Sequence, residues 1–250
     1  MSLPKERIDV LLVEQGYYES REKAKAAIMA GLVYANNEPI EKAGMKIPRD
    51  AQLKVKGSVH PYVGRGGLKL EKAIRHFNLN MNDLVMLDIG SSTGGFTDCA
   101  LQHGASHVYA IDVGYNQLDW SLRNDERVTV MERTNFRYVT PEDLSGPVPN
   151  FASIDVSFIS LTLILPVLKT LLVPNSDVVA LVKPQFEAGK AEADRGGGVI
   201  RDPAIHARVL RELEEFVATE PKLNWKQVTE SPLLGPAGNK EFLVLIEKRS

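Results

Sequence analysis

The sequence predicts an α/β protein: a mostly parallel sheet, covered by helices on both faces, that ends in an antiparallel hairpin and follows a small α+β domain. Three observations carry that reading. Five short apolar runs, Val85–Ile89, Val108–Ile111, Val128–Met131, Phe151–Ile154 and Val178–Val182, alternate with segments of helical character, and strands so continuously apolar are those buried on both faces. The last two runs, Asn224–Thr229 and Glu241–Glu247, have no helix between them and therefore pair directly at a sheet edge. The first 60 residues follow another pattern and carry 10 Lys and Arg against 8 Asp and Glu, where residues 61–250 carry 20 against 24.

In that first segment, Glu6 to Gln15 places Ile8, Leu11 and Leu12 at helical spacing, and Gly16 closes the helix. Ser20 is the N-cap expected of a second helix, Arg21 to Ala30, which Gly31 ends. Strands are expected at Leu32–Ala35 and Gln52–Lys56, with a turn at Asn36-Asn37. Arg21, Lys23 and Lys25 crowd the first turns of the second helix, where the helix dipole favours acids. Cations there either serve an anionic ligand such as phosphate or are simply solvated. The pattern Arg7-x-Asp9-x-x-Leu12, Gly16, Ser20-Arg21-x-x-Ala24 and Ile28-x-x-Gly31-x-Val33 resembles the small RNA-binding domain named after ribosomal protein S-four, with Asn36-Asn37 where that family usually has Asn-Gly. Asn also tolerates a left-handed backbone, so the turn survives the change. The resemblance implies recognition of folded RNA through phosphates and shape, with Arg7, Arg21, Lys23 and Lys25 as its contacts.

Gly57 to Gly67 is glycine-rich and aperiodic, so the expected division is a domain over residues 1–60, a linker at 61–67 and a second domain over 68–250. Leu68 to Phe77 reads as a helix, opened by Lys69 next to Arg65. The first strand of the large domain then breaks into Gly90-Ser91-Ser92-Thr93-Gly94-Gly95-Phe96, and a helix starts near Thr97. Small residues in a strand-to-helix turn let the backbone approach a ligand. The spacing Gly-x-x-x-Gly-Gly, with Asp88 two residues before the first glycine, suits a ligand whose amino-acid end is held by the turn better than a pyrophosphate. Asp112 closes the next strand 22 residues after Gly90, about the ~20-residue offset at which an acid meets ribose hydroxyls in such sheets. S-adenosylmethionine matches both ends, with its ammonium and carboxylate at the turn and its ribose at Asp112. Asn135, after the third strand, either lies near the adenine or caps a loop.

Composition narrows the classes further. At 44% hydrophobic and 25% charged residues, with a net charge of −2, the chain is an ordinary globular one with room for a substantial core. The single cysteine, Cys99, excludes an internal disulfide framework and fits a reducing cytoplasm. The opening residues lack the apolar core of a signal peptide, and the most apolar stretch, Phe151 to Val173, is broken by Asp155, Pro166 and Lys169, so no membrane association is expected. His60, His76, His103, His107 and His206 share no ligand-like spacing with one another or with Cys99, so no metal is expected either. Nothing in the sequence marks an obligate protein partner.

In open α/β sheets chemistry gathers beyond the carboxyl ends of the strands, and the polar residues there are Asp88, Asp112, Asp155 and Lys183. A lysine ending a strand as apolar as Val178–Val182 needs a carboxylate or a ligand, and the plain alternative is a structural Asp155–Lys183 ion pair. Gly196-Gly197-Gly198, flanked by Arg195 and Arg201, is either a substrate loop or a linker.

Lys69, Asp155, Lys183 and Glu241 fall where the FtsJ-type ribose 2'-O-methyltransferases have a Lys-Asp-Lys-Glu tetrad. With Arg65-Gly66-Gly67-Leu68-Lys69-Leu70, Asp155-Val156-Ser157-Phe158-Ile159-Ser160, Lys183-Pro184-Gln185-Phe186-Glu187, Gly196-Gly197-Gly198-Val199-Ile200-Arg201-Asp202 and Asn239-Lys240-Glu241-Phe242, the chain resembles the hemolysin A (TlyA) family over nearly its whole length. The resemblance implies a Rossmann-like methyltransferase sheet and an S-adenosylmethionine-dependent RNA 2'-O-methyltransferase acting on ribosomal RNA or ribosomal subunits in the cytoplasm. It also implies that Lys69, Asp155, Lys183 and Glu241 are catalytic, and that Asp155 borders the cofactor. Two rivals remain, a membrane-acting haemolysin and an RNA-binding factor without catalysis. The first lacks a cationic amphipathic helix, and the second has no use for a lysine at a strand end.

Overall fold

The computed structural model describes residues 5–15, 17–18, 20–56, 60–235 and 238–250, together with the backbone of Lys190 and Arg195. Gly16 and residues 57–59, at the start of the glycine-rich stretch, lie outside the described residues, as does the Arg195 side chain. The chain divides into two compact units, Met1–Pro61 and Tyr62–Ser250.

In the first unit β1 (Lys5–Arg7) leads into α1 (Ile8–Glu14), then α2 (Arg21–Met29), β2 (Val33–Ala35), β3 (Glu38–Pro39), β4 (Lys46–Pro48) and β5 (Leu53–Val55). The Ser20 hydroxyl caps α2 by accepting from the Lys23 amide, and Asn36 and Asn37 turn at φ 50° and 67° between β2 and β3. Three strands, β1, β3 and β4, were not expected. The Lys5–Arg7 stretch is all charged and shows no alternation, and it becomes a strand only by pairing with Lys46–Pro48. The small core is Ile8, Leu11, Leu12, Ala24, Ala27, Ile28 and Val33, the apolar stripes of the two helices laid on the short sheet.

The second unit opens with α3 (Gly67–Phe77) and continues as β6 (Val85–Ile89), α4 (Gly95–Gln102), β7 (His107–Ile111), α5 (Trp120–Arg123), β8 (Val128–Met131), β9 (Phe151–Ile154), α6 (Leu165–Leu171), β10 (Ser176–Val182), α7 (Pro184–Glu187), α8 (Lys190–Arg195), α9 (Pro203–Thr219), β11 (Leu223–Glu230) and β12 (Phe242–Lys248). The expected linker at 61–67 is corrected here. Tyr62 is buried in the core beside Phe96, the Val63 amide donates to Asp98 at 2.7 Å, and Gly67 already begins a helix, so from Tyr62 on the segment belongs to the large unit.

The seven strands lie in the order β11-β12-β10-β9-β6-β7-β8. β10, β9, β6, β7 and β8 are parallel, and β12 runs antiparallel between β10 and β11, which is the expected hairpin at the edge. All five residues of β6 are buried, as a central strand covered on both faces requires. One face is filled by α6 and α9, the other by α3 and α4. The strand order reverses at β6, with β7 on one side and β9 on the other. Loops leaving there part and open a crevice at the carboxyl rim.

Candidate active site

Four chain segments deliver polar side chains to that rim. Asp155 follows β9 and Lys183 follows β10. Glu241 precedes β12, whose antiparallel course brings its beginning to the same edge, and Lys69 stands in the first turn of α3. Their side chains form one chain of contacts. Lys183 Nζ lies 2.6 Å from Asp155 Oδ1, Asp155 Oδ2 lies 3.6 Å from Lys69 Nζ, and Lys69 Nζ donates to Glu241 Oε2 at 2.7 Å. The plain Asp155–Lys183 ion pair is thus present, but as one link of a four-membered cluster. Glu241 is the deepest member, and its Oε1 is buried without a hydrogen-bond partner among the described residues. Gly235 packs against that oxygen so closely that a Cβ would stand 2.1 Å from it. Asp155 keeps 20% of its side chain in contact with solvent, against 8% for Lys183, 10% for Lys69 and none for Glu241, so the cluster opens outward at Asp155.

Around Lys183 the structure adds residues that sequence reasoning missed. The Ser157 hydroxyl accepts from Lys183 Nζ at 3.1 Å. Phe158 stands 89% exposed at φ 63°. For a bulky side chain that backbone is an outlier costing about 1–3 kcal/mol, which persists only where neighbours enforce it. Its ring lies 4.8 Å from that of Phe186, whose own ring is 6.0 Å from Lys183 Nζ. Asn239 is buried, accepts from the Ile200 amide at 3.0 Å and donates to the Gly198 carbonyl at 2.9 Å. It fastens Gly196-Gly197-Gly198 to the loop before Glu241, so that segment is an anchored turn and not a free linker. The one available signal for these residues was their place in the motifs Asp155–Ser160, Lys183–Glu187 and Asn239–Phe242, which assigned them no role.

The glycine turn is built differently from expectation. Gly90 has φ 84°, and a Cβ there would meet the Asp155 carbonyl at 2.5 Å; Gly94 has φ 95°, with Leu122 at 2.3 Å; Gly95 faces the Gly67 amide at 2.8 Å. Small residues are therefore required by protein neighbours at all three positions. The Gly90 and Ser91 amides both donate to the Ile111 carbonyl, at 2.8 and 3.1 Å. The Phe96 ring is core.

Asp88 is a clearer correction. Its carboxylate is wholly buried and accepts from Thr97 Oγ1 at 2.6 Å and Ser153 Oγ at 2.9 Å, so it braces the turn from below instead of facing the crevice. Burial, helped by the nearby Asp155 charge and opposed by the two hydroxyls, raises its pKa to about 6. A raised carboxylate pKa means that the folded state holds the proton more tightly than the unfolded one. That contribution is complete below about pH 3.9 and is lost as pH rises to about 6, about 3 kcal/mol in all. Asp88→Asn, whose amide both hydroxyls can turn to meet, is expected to gain that amount on the wild type between pH 4 and pH 7 in urea titrations. Parallel pH profiles would refute the assignment.

What the turn leaves to a ligand is the edge formed by exposed Ser92, half-buried Thr93 and Asp112. Asp112 follows β7, its Oδ2 accepting from the Ser92 amide at 2.8 Å and its Oδ1 from the Gly114 amide at 2.7 Å. Each carboxylate oxygen keeps a further lone pair, and Val113 beside it is 72% exposed. Acceptors for a pair of hydroxyls next to an apolar face fit a nucleoside. Asn135 caps a short 3-10 helix by accepting from the Arg137 amide at 3.1 Å, and it lines an open cleft of about 450 Å³ with Met131, Arg133, Thr134 and Tyr138.

In the first unit, the phosphate reading of Arg7 and Arg21 is modified. Arg7 Nε and Arg21 Nη2 each reach the fully buried Asp9 carboxylate at 2.9 Å. Hydrogen bonds from Arg7 lead the effects that hold the Asp9 carboxyl well below the usual range, against its burial. The arginine that seemed to oppose the α2 dipole thus has an internal acid. Lys25 is half-buried, the Lys23 amide is the one that Ser20 caps, and Arg65 in the second unit is exposed.

Comparison with known proteins follows this division. Residues 62–248 match the FtsJ-like methyltransferase family and residues 6–53 match the S4 domain. The chain is 61% identical to YqxC of Bacillus subtilis, provisionally named an rRNA methyltransferase, over 98% of this chain and 86% of the relative. It is 42% identical to the 16S/23S rRNA (cytidine-2'-O)-methyltransferase TlyA of Mycobacterium tuberculosis, over 98% and 90%. A solved structure from Streptococcus thermophilus, carrying a provisional hemolysin name, superposes with a TM-score of 0.78 at 53% identity, covering 99% of this chain and 90% of that one.

Proposed function

The chain belongs to the hemolysin A (TlyA) family, FtsJ-like methyltransferases with an N-terminal S4 domain, and on that premise we propose that it methylates a ribose 2'-hydroxyl of ribosomal RNA. The observation that carries the reading is the Lys183–Asp155–Lys69–Glu241 cluster at the crevice rim. S-adenosylmethionine supplies an electrophilic sulfonium methyl group. Asp112 would accept from its ribose hydroxyls, with Ser92 and Thr93 at the same edge and Val113 against the base. Asp155, at the carboxyl end of the neighbouring strand, would border it.

The protein's own part is to make a weak nucleophile react. A ribose hydroxyl must lose its proton as its oxygen bonds to carbon. Asp155 and Ser157 occupy two of the three directions open at Lys183 Nζ, leaving the third for the substrate oxygen, as a lone pair when the amine is neutral and as an N–H when it is an ammonium. Lys183 takes the proton or stabilises the forming oxyanion, and Lys69 helps orient the hydroxyl and lower its pKa. Glu241 and Asp155 fix the lysines and balance their charge. Lys23, Lys25 and Arg65, with the outer faces of Arg7 and Arg21, would meet RNA phosphates, and work on ribosomes sets the protein in the cytoplasm. Among the described residues no helix is long and apolar enough to cross a membrane.

The bare ring of Phe158 gives the target base a face to stack on. Such stacking is worth about 1–3 kcal/mol per base. Phe158→Ala should therefore raise KM for RNA or lower turnover by about 5- to 150-fold and leave affinity for S-adenosylhomocysteine unchanged; a variant with wild-type kinetics would remove the ring from the site. The reading as a whole is tested by mapping ribose 2'-O-methyls on ribosomal RNA from cells with and without the gene. Identical maps, or methyl groups on bases instead, would overturn it.

A further inference from the structure

Outside the four-membered cluster, one half-buried carboxylate ties two of its segments together. Glu187 ends α7, four residues after Lys183. Its Oε2 accepts from Ser160 Oγ at 2.6 Å and its Oε1 accepts from the Leu161 amide at 2.9 Å. Both donors belong to the far end of the loop that starts at Asp155 and carries Ser157 and Phe158. Between the two ends the segments touch twice more, Ser157 to Lys183 at 3.1 Å and Phe158 to Phe186 at 4.8 Å. The strained φ of 63° at Phe158 falls inside the stretch so pinned. Burial pushes the Glu187 carboxyl above its usual range, and the hydrogen bonds from Ser160 and Leu161 offset this only in part, which is a costly way merely to cap a three-residue 3-10 helix.

We propose that Glu187 is a positioning residue: by clamping Ser160 and Leu161 it holds the Ser157–Ile159 loop in the strained conformation that sets Ser157 on Lys183 and presents the Phe158 ring. This rests on the reading of Lys183 as the reacting centre. Without the clamp the loop relaxes at Phe158, Lys183 loses one of its two fixed contacts, and the third donor direction is no longer defined. A misplacement of about 1 Å at such a group costs about 10² in rate.

The test compares full-length wild type, Glu187→Ala, Glu187→Gln and the pair Ser160→Ala and Ser160→Ala/Glu187→Ala. Glutamine keeps both contacts, since its carbonyl accepts from the Leu161 amide and its NH₂ donates to the Ser160 oxygen. Two readouts are taken, methyl transfer to ribosomal subunits and limited chymotrypsin cleavage after Phe158, scored by mass spectrometry against cleavage after the exposed Trp120 as internal reference. Glu187→Ala is expected to lower kcat 10- to 100-fold with KM for S-adenosylmethionine within about twofold of wild type, and to raise the Phe158/Trp120 cleavage ratio about fivefold or more. Glu187→Gln should restore the ratio and at least about a third of the rate, and the double variant should be no worse than Glu187→Ala alone. An unchanged cleavage ratio in Glu187→Ala overturns the proposal, as does a Gln variant no better than Ala. The cleavage readout needs no methylation, so a wild type that methylates no ribose would sink the functional reading and leave the clamp standing or falling by itself.

Discussion

Lys183→Ala is expected to slow methyl transfer by about 10²–10⁴-fold, the range for losing a general base or the main electrostatic partner of a forming oxyanion. Cofactor affinity should survive, because the turn at Gly90 to Gly95 is held by protein contacts that do not involve Lys183. RNA binding should survive as well, since the N-terminal unit has its own core. The deletion leaves Asp155 with Lys69 alone, at 3.6 Å, so a melting curve must first show a folded variant. Lys183→Arg should not rescue, because a guanidinium neither gives up its proton nor shares the shape of an ammonium. The measurement is transfer of labelled methyl from S-adenosylmethionine to ribosomal subunits, followed by alkaline hydrolysis, which 2'-O-methylation blocks. A folded Lys183→Ala protein working at the wild-type rate would end this account of the chemistry.

The second large effect is on the cofactor. Asp112→Ala should weaken S-adenosylhomocysteine binding by about 10- to 150-fold, the equivalent of about 1.5–3 kcal/mol for hydrogen bonds to a charged acceptor. Two sources contribute, because the carboxylate also holds the Ser92 and Gly114 amides. Asp112→Asn divides them in part. It keeps an acceptor for one of the two loop amides but sets an NH₂ donor against the other and against the ligand, so it should bind weakly while its melting curve lies between those of wild type and Asp112→Ala. Calorimetric titration of all three proteins decides, and equal affinities would remove Asp112 from the site.

The large fold was legible because most of its strands are covered on both faces and read as mainly apolar runs; Val85–Ile89 and Phe151–Ile154 stand at the expected residues, and so does Val128–Met131, the half-buried strand at the sheet edge. The edge strand β1 was not, since Lys5-Glu6-Arg7 owes its conformation to a partner some 40 residues away. Polar residues at strand ends pointed to the rim. That Lys69 meets Glu241 across 172 positions followed only from resemblance to a known tetrad. Asp88 and the glycines misled in one respect: a motif that serves a ligand can do so by bracing the backbone, and sequence does not distinguish bracing from contact. Arg21 misled in another, because Asp9 on the preceding helix gives no sign of being buried. Phe158 and Glu187 stood in the motifs but without a role. Their meaning lies in a positive φ and in a bridge between two loops, and neither leaves a period in the sequence.

The cluster of two lysines and two carboxylates has one further consequence. Its formal charges sum to zero, and each sits within 4 Å of an opposite one, so its field falls off over a few ångströms, well inside the ~8 Å screening length of physiological ionic strength. Such a centre neither draws in a phosphate backbone from a distance nor repels it. Capture of RNA must then fall to cations elsewhere on the surface, where released counterions make binding depend steeply on salt. Raising ionic strength should move the half-saturating RNA concentration upward while turnover at saturation stays nearly flat.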